Sequence, residues 1–89
     1  MLKATGFDKA IIGVAERCRS ENVIAYDANE CIQILIDQGM TDTEAVEYFS
    51  YNVLGAYVGE NTPMFIWNYT LEEIDEMMDD FYEEKQYVD

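Results

Sequence analysis

The chain has no histidine, one proline, two cysteines and only five basic residues among 89. Each shortage closes off some chemistry. Without histidine there is no imidazole to activate a serine or cysteine, so triad and Cys-His catalysis are excluded. Cys18 and Cys31 are not in a C-x-x-C pair and have no histidine to complete a ligand set, so a zinc site is not expected. Both read as small buried hydrophobes, Cys18 on the apolar side of one helix and Cys31 near the start of another, as suits a reducing compartment.

The apolar runs are only a handful of residues long, and no basic segment precedes one. Neither a signal peptide nor a membrane span is therefore expected, and a soluble cytoplasmic protein is the expectation. Glycine-rich phosphate loops of the G-x-x-x-x-G-K-[ST] or G-x-G-x-x-G kind are missing. "DANECIQILIDQ" and "DQGMTDTEAVE" fail the calcium-loop pattern, because a hydrophobic helix or a cap occupies the ligand positions. No cofactor or metal is expected.

Acid is abundant. Nineteen Asp and Glu against five Lys and Arg give a formal charge of -14. That sign reverses the phosphate attraction behind nucleic-acid and anionic-membrane binding, and points instead to a basic partner or to solubility. The charge is graded: net -1 over residues 1 to 30, -5 over 31 to 60 and -8 over 61 to 89. With 49% apolar residues, including seven Tyr and four Phe, the composition is nevertheless that of one folded domain spanning 1–89.

Periodicity places Ala10, Ile11, Val14, Ala15 and Cys18 at helical spacing behind Asp8 as N-cap, predicting a helix over roughly 8 to 19. "NVIAYD" reads as a short strand. Asp27 and Glu30 then open a second helix over about 28 to 38, closed by Gly39, and Thr41 with Glu44 opens a third that reaches Tyr57. Gly55 there allows a close approach or loosens the last turn. "VGENTP" is turn chemistry and "MFIW" a second strand, of undecided direction relative to the first.

Thr70 and Glu73 cap a last helix over 70–84, with Leu71, Ile74, Met77, Met78 and Phe81 as its apolar stripe. The expected fold is α+β, four helices and two short strands in the order αβααβα, or all-α if the strands do not pair. Its core would comprise Ile11, Val14, Ile24, Ile32, Leu35, Phe49, Val53, Phe65, Ile74 and Phe81.

The remaining circumference of the last helix carries Glu72, Glu73, Asp75, Glu76, Asp79, Asp80, Glu83 and Glu84. A solvated face accounts for such an array. So does a partner-binding surface that presents carboxylates to Arg and Lys as nucleic-acid phosphates do. Carboxylates on a helix exterior are poorly placed for glycoside hydrolysis, and so small a domain is not expected to be an enzyme. Tyr51, Tyr57 and Trp67 are candidates for self-association, since Trp and Tyr are enriched at binding hot spots. A small-molecule pocket beneath "GENTP" is a further alternative.

Four motifs recur together: I-I-G-V-A at 11–15, A-Y-D at 25–27, G-M-T-x-x-E-A at 39–45 and N-x-x-G-A-Y-x-G-E-N-T-P at 52–63. On these the chain resembles, over about residues 10 to 66, a group of short uncharacterised proteins encoded in tailed-phage and prophage genomes. The group has no known activity, so the resemblance transfers no site residue; the acidic helix lies beyond it. Taken with the net charge and its segregation toward the C-terminal third, the resemblance points to a phage-type accessory or anti-defence protein in a bacterial cytoplasm. Such a protein would be a stoichiometric inhibitor that mimics DNA towards a basic, nucleic-acid-binding host protein.

Self-repulsion among the carboxylates opposes compaction and is screened by salt. The urea midpoint is therefore expected to rise as NaCl is raised from low concentration to about 0.5 M, where the Debye length is only a few ångströms. An unchanged midpoint would show that the charge does not strain the fold.

Overall fold

The computed structural model describes residues 1–56 and 59–78. These form a mixed α+β structure of three α-helices and a three-stranded sheet. A single 3₁₀ turn, Asp8–Ala10, leads into β1 (Ile11–Ala15), which is followed by β2 (Val23–Asp27), α1 (Ala28–Asp37) and α2 (Asp42–Tyr48). A π-helical segment, Phe49–Leu54, continues α2, and β3 (Met64–Ile66) and α3 (Leu71–Met78) complete the described chain.

The helix expected over 8 to 19 is a strand instead. Ile11–Ala15 pairs antiparallel with β2, matching Ile11 to Tyr26, Gly13 to Ala25, Val14 to Ile24 and Ala15 to Val23, with a register irregularity between Ile11 and Gly13. Three β-branched residues and a glycine in five positions suit a pleated surface better than a helix interior. The decisive factor is β2: a buried central strand must pair its backbone N–H and C=O groups on both edges, and "IIGVA" fills one of them. Asp8 accordingly caps nothing, and Cys18 lies exposed in the hairpin connection, not in a core.

The second edge of β2 is taken by β3. Ala25, Tyr26 and Asp27 face Met64, Phe65 and Ile66 in parallel, which settles the direction left open by the sequence. A parallel pair needs a long crossover, and α1, α2 and the π segment supply it.

Local capping goes as expected from the sequence. Asp27 accepts a hydrogen bond from the Glu30 N–H at 3.1 Å. Thr41 and Glu44 form a reciprocal capping box, its two bonds 2.9 and 3.2 Å long. The hydrogen bonds from Thr41 hold the Glu44 carboxyl below its ordinary value. Gly39, at φ 110°, closes α1: its N–H donates to Ile36 O at 2.9 Å and the Met40 N–H donates to Leu35 O at 3.3 Å, the paired bonds of a Schellman end.

The third helix is not a continuous α-helix to Tyr57. From Phe49 it widens to π geometry and ends at Gly55, where a Cβ would sit 3.1 Å from the carbonyl oxygens of Ser50 and Tyr51. Glycine avoids that tight contact at the end of the widened turn. Tyr57 lies outside the described residues.

The core gathers Phe7, Ala10, Tyr26, Ala28, Cys31, Leu35, Ala45 and Phe49, with Ile24, Ile32, Val53 and Phe65 partly buried against it. An aromatic chain runs through it. Tyr26 stacks on Phe65 at 5.4 Å between centroids, Phe65 meets Phe49 edge-on at 5.3 Å, and Phe49 meets Trp67 edge-on at 5.8 Å. The Tyr26 hydroxyl accepts the Ala4 N–H at 2.8 Å and so fastens the N-terminal arm.

Three expected core residues do not fit. Ile11 and Val14 are exposed, Val14 to 55%, because β1 is an edge strand. Ile74 is half-buried and outside the cluster, and Phe81 lies outside the described residues.

Phe49→Ala is expected to cost about 3–5 kcal/mol and Leu35→Ala about 2–5 kcal/mol in urea unfolding, by loss of buried area and creation of a cavity. Val14→Thr should change stability by less than about 0.5 kcal/mol, as exposed substitutions do. A Val14→Thr loss comparable to that of Leu35→Ala would contradict its edge-strand position.

Candidate binding surface on the acidic helix

α3 starts where Thr70 and Glu73 cap each other. The Thr70 N–H donates to Glu73 Oε1 at 3.0 Å and the Glu73 N–H donates to Thr70 Oγ1 at 3.2 Å. The Ile74 N–H then donates to Thr70 O at 2.9 Å and begins the helical ladder. Two early carboxylates, Glu72 and Glu73, also lie where the helix dipole favours negative charge.

Two contacts root the helix in the body of the protein. Trp67 packs edge-on against Phe49, and Asn68 Nδ2 donates to Asp27 Oδ2 at 3.1 Å. Asp27 thereby serves two elements at once: one oxygen caps α1 and the other holds the approach to α3. A link between residues 41 positions apart leaves no trace in local spacing, and sequence reading assigned Asp27 only its cap.

Of the eight carboxylates singled out in the sequence, Glu72, Glu73, Asp75 and Glu76 fall within the described residues, and all four are exposed. One oxygen of Glu73 is engaged in the cap, whereas Glu72, Asp75 and Glu76 have no ion pair among the described residues. Asp79, Asp80, Glu83 and Glu84 lie outside the described residues.

The described part of the apolar stripe departs from expectation; Phe81 and the side chain of Met78 lie outside the described residues. Leu71 is 79% exposed and Met77 is also exposed, while Ile74 is half-buried. A helix folded onto its own core would bury this stripe. Here apolar side chains and carboxylates are displayed together.

Tyr51 is 80% exposed on the π segment, and Trp67 is at the boundary of exposure with one edge on Phe49; Tyr57 lies outside the described residues. Among the described residues no group of three or more Cys, Asp or Glu side chains is arranged to hold a metal ion, and no helix is long and apolar enough to cross a membrane.

The two thiols differ. Cys31 is fully buried, and burial, reinforced by the negative charges of Asp27 and Glu30, pushes its thiol from 9.0 up to about 11. A thiol held in its neutral form is a poor nucleophile. Comparison with protein-family models, with curated proteins and with solved structures yields no match.

At about pH 8, a disulfide exchange reagent is expected to modify Cys18 promptly and Cys31 only on unfolding, giving one equivalent in buffer and two in denaturant. Because the folded Cys31 value is raised, its contribution to stability is fully present below pH 9.0 and is lost as pH rises through about 11. Two equivalents released rapidly from the folded protein would contradict the buried assignment.

Proposed function

We propose that this protein is a phage-type accessory protein of the anti-defence kind, acting by stoichiometric binding of a basic host protein, with α3 as its docking element. The observation that carries the proposal is the exposure of Leu71 beside Glu72, Asp75 and Glu76. An amphipathic helix that leaves Leu71 and Met77 in water suits a groove on another protein, with anchors at i, i+3 and neighbouring positions. The carboxylates around it select a groove rimmed by Arg and Lys, where charge-assisted hydrogen bonds form and long-range attraction speeds encounter.

A groove evolved to hold nucleic-acid phosphates has that rim, and the helix then competes with nucleic acid. The resemblance to phage and prophage proteins supplies the setting, the cytoplasm of a bacterial host. Binding, and not catalysis, is the proposed mode of action: the buried thiol is held neutral and no histidine is present. Rigid anchoring of the helix root through Trp67 and Asn68 lowers the ordering cost of association.

A second reading, self-association through exposed aromatics with the charge serving solubility, is favoured specifically by Tyr51. Light scattering across a concentration series distinguishes the two, since a monomer at every concentration excludes the second.

Immobilised protein is expected to retain a basic, nucleic-acid-binding protein from bacterial lysate at low salt and to release it at about 0.5 M NaCl, where exposed charges are screened. Combined Glu72→Lys, Asp75→Lys and Glu76→Lys substitutions should abolish retention, and Leu71→Ala should weaken it by about tenfold or more if Leu71 is an anchor. Retention that survives the triple reversal would overturn the proposal.

A further inference from the structure

A second feature lies away from α3. The N-terminal arm, the C-terminal end of α1, the π segment and the Thr62–Pro63 turn line a cavity of about 590 Å³ that is open to solvent on one side. Its apolar wall includes Phe7, Leu35, Val53 and Phe65, and Gln38 and Asn52 stand among its polar lining. We propose that this cavity is a binding site for a neutral small molecule with an aromatic or branched aliphatic body and one amide- or carbonyl-like polar group. It is independent of the docking role proposed for α3.

Size is the first reason. Small-molecule sites span about 300–1,000 Å³, are mostly apolar, and carry a few polar groups that fix orientation. This cavity has the size and the balance, with room for a body of two fused or linked rings.

The second reason is how the walls are built. The π segment places Asn52 and Val53 on the cavity, and π turns within helices are found often at functional sites because the extra residue re-aims side chains that an α-helix would point elsewhere. Gly55 relieves a tight contact at the end of that turn, and the N-terminal arm is held by the bond from the Ala4 N–H to the Tyr26 hydroxyl. Both walls are therefore fixed by features of the body and not by a ligand.

Electrostatics selects the class of ligand. Lys3, the cation among the described lining residues, pairs with Asp8 at 3.1 Å, and that nearby carboxylate offsets part of its attraction for an anion. The overall charge of -14 repels anions further. Among the described residues no carboxylate stands in the lining to hold a cation. Among the described residues no buried side-chain polar atom lacks a hydrogen-bond partner, so the interior asks for no charged group. What remains is apolar area for the ligand body and the side-chain amides of Gln38 and Asn52 for its polar group.

The test uses the neutral fluorophore N-phenyl-1-naphthylamine with the full chain. Saturable emission enhancement at one probe per protein is expected, with amide shifts in a two-dimensional NMR spectrum concentrated at Ala4, Leu35, Val53 and Phe65. Ala56→Phe, which adds a ring at the cavity lining, should weaken binding at least tenfold. Triple reversal of Glu72, Asp75 and Glu76 should leave it unchanged, which separates failure of this site from failure of the docking helix. Absence of enhancement, shifts centred on the exposed β1 residues Ile12 and Val14, or a second copy of the chain occupying the cavity would each overturn the proposal. Should Ala56→Phe fail to fold, the location of the shifts in the unsubstituted protein decides alone.

Discussion

Tyr26 is the residue on which the rest of the structure depends. It sits on the central strand, completely buried, and its ring stacks on Phe65 of the neighbouring parallel strand. Its hydroxyl satisfies the Ala4 N–H, so one side chain joins the sheet, the aromatic core and the N-terminal arm. A buried Tyr is tolerated only when its hydroxyl finds a partner, and here that requirement is turned into a fastening. From Phe65 the same aromatic chain continues through Phe49 to Trp67, carrying the core from the central strand to the root of α3.

This arrangement separates two surfaces. On one side, the arm held by Tyr26 and the π segment around Phe49 bound the cavity. On the other, Trp67 and Asn68 fix the start of α3, whose exposed residues then face outward. Both depend on the same core, yet they share no residue that the proposed chemistry of either one uses. An apolar cavity with a paired lysine and an acidic helix with displayed leucine suit different kinds of ligand.

Much of the local structure was legible in advance because it is written in short-range pairs. Asp27 with the Glu30 N–H, Thr41 with Glu44, Thr70 with Glu73 and the positive-φ Gly39 all act across three or four residues, within reach of a spacing argument. The strand at Ile11–Ala15 is not legible locally, because a short apolar run is compatible with either period and nothing within it says that β2 lacks a partner on that edge. The N-terminal arm was passed over altogether; an isolated Phe7 after Gly6 was the one available sign that it packs inward. In the candidate binding surface, the acidity and the cap of α3 were legible, but the exposure of Leu71 was not. Burial depends on which other element covers a stripe, and amphipathic spacing is the same whether the cover is the chain's own core or another molecule.

The sequence by itself determined the charge and its grading toward the C-terminal third, the exclusion of histidine-dependent chemistry, the helix caps and the strand character of "VIAYD" and "MFI". Those properties belong to composition or to interactions across a single turn. Only the tertiary structure decided that "IIGVA" is a strand, that β2 and β3 run parallel, that Asp27 ties α1 to the approach to α3, and that a cavity opens beside the π segment. Each of these joins residues far apart in the chain. Edge pairing, side-chain reach and the space left between packed elements exist only once the chain has closed on itself.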